Sequence, residues 1–183
     1  MKRRTAIALL VAPTLAIVAL GAAWWLSGHA APYAGLDARE IKALAPERIA
    51  GLRAGEGLGY ALAAELNDVP GPLHAMQLDL GLSDAQKDRV MRVYQKMNAE
   101  ARLHGHDLIE AERALDAAFA SGAATPEEVD RLTAEAAAIE GRLRAAHLRA
   151  HLETGPILTP EQRATYAAAR GYGHGGDGEH GGH

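Results

Sequence analysis

Between Val90 and Ala118 the apolar and small residues fall at Val90, Tyr94, Met97, Ala101, His104, Leu108, Ala111, Leu115 and Ala118, in steps that alternate four and three. A spacing of 3.5 residues keeps one stripe on one side of a helix over many turns, which is what side-by-side helix packing needs. A second stripe of the same kind runs through Val129, Leu132, Ala136, Ile139, Leu143, Ala146 and Ala150. Only the short stretch SGAAT, Ser121 to Thr125, separates them. Two long helices joined by so short a connection must lie antiparallel and adjacent. Alternating β-branched residues are found nowhere, so the expected class is all-α, built on a long antiparallel helical hairpin with additional shorter helices.

The helix starts are written in the sequence as well. In LTPEQ, Leu158 to Gln162, Thr159 is a natural N-cap, Pro160 fits the first helical position, and Gln162 can reach back to the N-cap backbone N–H. LSDAQ, Leu82 to Gln86, gives Ser83 and Gln86 the same two roles, with Asp84 favourable to the helix dipole. Thr125-Pro126-Glu127-Glu128 forms a third capping box, at the start of the second long helix. The staple partners expected for Leu82 and Leu158 are Lys87 and Arg163, so both leucines must pack elsewhere. A hairpin folded at about residue 123 puts both phrases at one end of the molecule and predicts that they meet.

Upstream, DAREIKAL, PERIAGLRAG and EGLGYALAAEL read as short helical pieces interrupted by glycine, NDVPGP as a loop, and LHAMQLDL as a short helix. Lys2, Arg3 and Arg4 precede 22 uncharged residues from Thr5 to Leu26. That run is long enough to span a bilayer and longer than a secretory core, and the basic flank orients it N-in, C-out. The expected division is an anchor or uncleaved signal over 1–26, an exported linker with short helices over 27–72, a hairpin domain over 73–170, and a disordered Gly/His-rich tail over 171–183. The expected location is the periplasm, tethered to the inner membrane through residues 5–26. Small residues at Ser27 to Ala31 leave open a cleaved, soluble periplasmic form.

Without Lys2, Arg3 and Arg4 the 19 basic residues fall to 16 against 23 acidic ones, which excludes a nucleic-acid surface. There is no cysteine, so disulfides, thiolate ligands and a cysteine nucleophile are all absent. Ser83 and Ser121 read as cap and loop residues, and no serine has a His/Asp setting, so an enzyme is not expected.

The two L-[ST]-x-x-Q phrases flanking a long hairpin behind an export segment, together with the block AAELNDVPGPLHAMQLDLGLSDAQ, resemble the periplasmic Spy/CpxP LTxxQ-motif family and its metal-related relatives ZraP and CnrX. The likeness covers roughly residues 60 to 170. It implies an all-α fold, a homodimer, and either ATP-independent chaperone activity on unfolded clients or transition-metal sensing beside a membrane signalling partner.

His147 and His151 stand at i and i+4 on one helix and could share an ion. Placing residue 123 at the hairpin centre sets Glu100 across from Ala146 and His147, with His74 at the same end. Three imidazoles and one carboxylate suit zinc, nickel, cobalt or copper rather than calcium. The resemblance adds that metal-sensing relatives carry a ligand pair on the helix before their second phrase. The same histidine pair also reads as a solvated helix edge, and His104 as a core histidine. The tail offers His174, His180 and His183 as a weak chelator. For client binding, Met91, Met97, Leu103 and Ile109 lie among basic residues on the first long helix.

Overall fold

The computed structural model describes residues 32–171. Residues 32–38 belong to a unit of their own, with a 3-10 turn at Leu36–Ala38, and the remainder form a second unit. The expected anchor over 5–26 and the tail histidines lie outside the described residues. Among the described residues, no helix is long and apolar enough to cross a membrane.

The second unit is helical, and no strand occurs among the described residues. In chain order its helices are α1 (Pro46–Ala54), α2 (Leu62–Glu65), α3 (Pro72–Gln77), α4 (Asp84–Ala120), α5 (Pro126–Thr154) and α6 (Pro160–Ala169), with a 3-10 turn at Gly155–Ile157 before α6. α4 and α5 form the antiparallel hairpin. On α4 the stripe buries Val90, Met97, Ala101, Leu108 and Ala111, and on α5 it buries Leu132, Ala136, Ile139, Leu143, Ala146 and Ala150. The segment upstream packs on this hairpin, where Ile41, Leu44, Ile49, Leu52 and Tyr60 share its core. DAREIKAL does not form the expected helix. It gives the 3-10 turn and then an isolated bridge between Ile41 and Leu44, which buries both side chains.

α1 seats on α4 at closest range where α4 carries Gly105. A Cβ there would stand 2.3 Å from the Leu52 carbonyl oxygen. α1 ends at Gly55 in the left-handed region, φ 72°, a conformation that favours glycine. Asn98 of α4 then donates its side-chain N–H to the Ala54 carbonyl at 3.1 Å and closes that end.

Both twin phrases are capping boxes. Gln86 Oε1 accepts from the Ser83 N–H at 3.0 Å, and Gln162 Oε1 accepts from the Thr159 N–H at 2.9 Å. The two starts also meet, as the unpaired leucines implied. Gln86 Nε2 donates to Gln162 Oε1 at 2.7 Å and to the Ile157 carbonyl at 2.9 Å. In return Gln162 Nε2 donates to the Gly81 carbonyl and to Gln86 Oε1, each at 3.3 Å. Each glutamine therefore caps its own helix with its oxygen and ties down the other phrase with its nitrogen. Leu158 is buried beneath this pair with Ile157, Val90, Leu80 and Tyr166, and Leu82 packs on the same cluster. At the third start, Thr125 accepts from the Glu128 N–H, but the Glu128 carboxylate turns to Arg131 and does not reach back.

A double-mutant cycle over Gln86→Ala and Gln162→Ala is expected to show coupling of about 1 kcal/mol in denaturant unfolding, the scale of a shared hydrogen-bond pair. Strict additivity would mean that the cross-bonds contribute nothing.

Candidate functional site

A cavity of about 380 Å³ opens where α2, α3, α4, α5 and the end of α6 come together. Its wall brings in His147 and His151 from α5, His74 from α3, Glu65 from α2, Met97 from α4, and Arg170 just past α6. The sequence placed the two α5 histidines beside the apolar stripe. The segment over 55–60 covers His147 and the loop at Val69 and Gly71 covers His151, so both are buried instead of forming a solvated edge.

His147 Nδ1 lies 3.1 Å from the Leu143 carbonyl, one turn back along α5. A carbonyl only accepts, so the proton sits on Nδ1 and Nε2 keeps its lone pair. That Nε2 is buried with no hydrogen-bond partner. Burial holds the His147 ring below the usual histidine range, against the opposing pull of the Leu143, Gly55 and Glu56 backbone carbonyls. The Tyr60 ring flanks it at a centroid distance of 5.9 Å.

His151 repeats the pattern. Its Nδ1 donates to the Val69 carbonyl at 2.7 Å, which again leaves Nε2 unprotonated. Nε2 rests against Gly71, where an added Cβ would stand only 2.6 Å away. The glycine is therefore required by close approach to the ring.

His74 is half-buried on the cavity wall. Burial lowers its pKa first, and the Arg170 guanidinium lowers it further, while Glu65 opposes both.

Glu65 escaped the sequence reading. It is one carboxylate in the run ALAAEL, and only that apolar context marked it. Its side chain is buried and accepts from the Tyr166 hydroxyl at 2.9 Å and from Arg170 Nε at 2.7 Å, with His151 Nδ1 at 3.7 Å. The Tyr166 hydroxyl in turn accepts from the Gly71 N–H at 3.1 Å, which fixes the loop that holds His151.

Glu100 does not join the histidines. It pairs with Arg149 at 2.9 Å, next to a Lys96–Glu153 pair at 2.9 Å, and these contacts show the hairpin register. That register sets Glu100 opposite Arg149 instead of His147, away from the cavity wall. Among the described residues, no three His, Cys, Asp or Glu side chains stand together as a metal-holding group. His104 lies on the hairpin seam with Asp107 at 3.9 Å, and its Nδ1 makes no hydrogen bond.

Of the residues expected to meet clients, Met97 and Ile109 are core, whereas Met91 and Leu103 are exposed. Leu62 and Leu73, both exposed, line the cavity, and Leu66 is exposed beside them in sequence.

Comparison with protein families gives a match to the family described as LTXXQ motif family protein over residues 69–170, more than half of the chain. Comparisons with curated proteins and with solved structures gave no match.

Proposed function

The chain belongs to the LTXXQ motif family, and from that premise we propose that it is a Spy/CpxP-type periplasmic protein that binds a transition-metal ion in the cavity of His147 and His151. The reading is of a metal-responsive envelope stress or resistance protein, of the kind represented by ZraP and CnrX. In it residues 5–26 tether the chain to the inner membrane, and the protein works as a homodimer beside a membrane signalling partner.

One observation carries the metal reading. Both α5 imidazoles point Nδ1–H at a backbone carbonyl, at 3.1 and 2.7 Å, and both residues line the cavity. A hydrogen bond from the far ring nitrogen is how proteins orient and tautomerise a metal-ligating histidine. Bound there, the ion would be held by imidazole nitrogen. The chain itself supplies the orientation, through Leu143 and Val69, and the shielding from water.

Calorimetric titration of the full chain in detergent with zinc, nickel, cobalt and copper ions tests this. A site that His147→Ala, His151→Ala weakens by more than about 100-fold is expected, beyond the loss typical of outer-shell changes. The tail histidines are present in both proteins and cancel. If the double variant binds every ion as tightly as the parent, the metal reading is wrong.

The second reading is ATP-independent chaperone activity. It rests on the exposed Leu62 and Leu73 at the cavity, with exposed Leu66 between them in sequence. A client-aggregation assay that shows no protection at molar excess would remove it.

A further inference from the structure

The chain has no cysteine, and the sulfur of the described residues sits in Met76, Met91 and Met97. Two of these line one groove, away from the histidine cavity. It has a volume of about 320 Å³ and opens between the end of α3 and the first turns of α4, with Met76, Leu78, Leu80, Leu82, Lys87 and Met91 in its wall. Met91 is 42% exposed there, whereas Met97 in the hairpin core is 9% exposed. Met76 is half-buried and has two surroundings. It lines the groove, and with Leu78 and Leu82 it also packs on the buried cluster of Leu80, Val90, Ile157, Leu158 and Tyr166. That is the cluster beneath the Gln86–Gln162 bonds.

We propose that Met76 and Met91 are a reversible oxidation site, and that oxidation of Met76 loosens the end of the molecule where the twin phrases meet. The inference is independent of the metal and chaperone readings. The oxidant class is a hypohalous acid. With hypochlorous acid the thioether sulfur takes the oxygen and gives up two electrons, and chlorine takes both and leaves as chloride, with release of a proton. The product is methionine sulfoxide, which methionine sulfoxide reductases return to the thioether. Oxidation exchanges a flexible apolar side chain for a polar one that accepts hydrogen bonds. At Met91 the new oxygen points into water at little cost. At Met76 there are two outcomes, and both weaken the cluster. If the side chain stays against Leu80 and Val90, a polar group is buried among apolar ones. If it swings into the groove, it leaves a void beside them.

The test treats the full chain in detergent with hypochlorous acid at stepwise molar ratios, and peptide mass spectrometry maps sulfoxide at each methionine. Met91 and Met76 are expected to oxidise at least about tenfold faster than Met97, because access governs the reaction. The oxidised parent is expected to melt roughly 2–4 °C or more below the untreated protein, the shift that one poorly placed polar group causes in a chain of this size. Met76→Leu conserves volume and removes the sulfur, so its untreated melting curve should match the parent's. After treatment it should keep the melting temperature that the parent loses, whereas Met91→Leu should lose it as the parent does. Both sulfoxide reductases together should restore the oxidised parent, and their reductant alone should not. Recovery is read on the parent, so it decides the matter even where Met76→Leu folds poorly. Met97 oxidising as fast as the groove pair overturns the inference. So does a treated Met76→Leu protein that melts low like the parent, or an oxidised parent that melts unchanged or that the reductases fail to restore.

Discussion

Replacing Gly105 by alanine will lower the melting temperature by roughly 4–8 °C, while the same change at Gly141 will raise it by about 2–4 °C, taking 2–4 °C per kcal/mol for a chain of this size. Both residues are helix-interior glycines, and both should gain about 1 kcal/mol of helix propensity from a methyl group. They differ in what the methyl meets. At Gly141 on α5 a Cβ has nothing within 4 Å, so the gain stands alone. At Gly105 it would stand 2.3 Å from the Leu52 carbonyl oxygen and 2.9 Å from the Leu52 carbonyl carbon. These are backbone atoms, so no rotamer change relieves the contact and α1 must move as a whole.

Moving α1 disturbs several things together. Leu52 and Ile49 lose their seat in the core, and the Leu52 carbonyl accepts the Gly55 N–H in the turn that ends the helix. The Asn98 bond to the Ala54 carbonyl strains too. Overpacking costs about 1–3 kcal/mol and occasionally more, and against backbone that cannot give way the upper end applies, which leaves a net loss of about 2 kcal/mol after the propensity gain. The two variants should therefore shift in opposite directions in thermal melts monitored by circular dichroism. A stabilised Gly105→Ala protein would mean that α1 is not held against α4 as described.

The pair of glycines shows where the reading of the sequence ended. The four-three stripe located both faces of the hairpin, because spacing along one helix fixes which residues share a side. It also carried Thr159, Ser83 and both motif glutamines, since a capping box is a contact within four residues. Register between helices is a different matter. Whether Glu100 faces His147 or Arg149 depends on two or three residues at the connection, which spacing alone does not determine. The burial of His147 depends on the segment over 55–60 and that of His151 on the loop from Asn67 to Gly71, stretches with no periodicity to read. Glu65 was illegible for the same reason, because its partners Tyr166 and Arg170 lie a hundred residues away in sequence.

Glu65→Ala is the second change expected to have a large effect, about 3 kcal/mol of stability, the lower end for breaking a buried charge pair. The carboxylate is nearly enclosed, with 8% of its side chain exposed, whereas Arg170 keeps 29%, so water recovers part of the loss on the arginine side. The Tyr166 hydroxyl has no such relief. Burial, with the Glu65 hydrogen bond and charge adding to it, holds its pKa far above the usual phenol value. Once Glu65 is gone, a fully buried donor is left without its acceptor. Glu65→Gln should cost less, because an amide oxygen can still accept from Tyr166, but its neutral group cannot hold the guanidinium. Tyr166→Phe should cost about 1–2 kcal/mol, since it removes one hydroxyl and leaves the Gly71 N–H unmet.

The place of the damage is as telling as its size. Hydrogen exchange should quicken along α6 and through the loop at Gly71, while the α4–α5 seam keeps its protection, because α6 is tied to α2 and that loop by this cluster. Uniform acceleration across the hairpin would show that Glu65 supports the whole unit and has no special part in holding α6 over the histidines. The order Ala, then Gln, then Phe separates the charge from the hydrogen bond. An inverted order, with Tyr166→Phe the worst, would place the organising role on the tyrosine's packing against Ile157 and Leu158 instead of on the buried carboxylate.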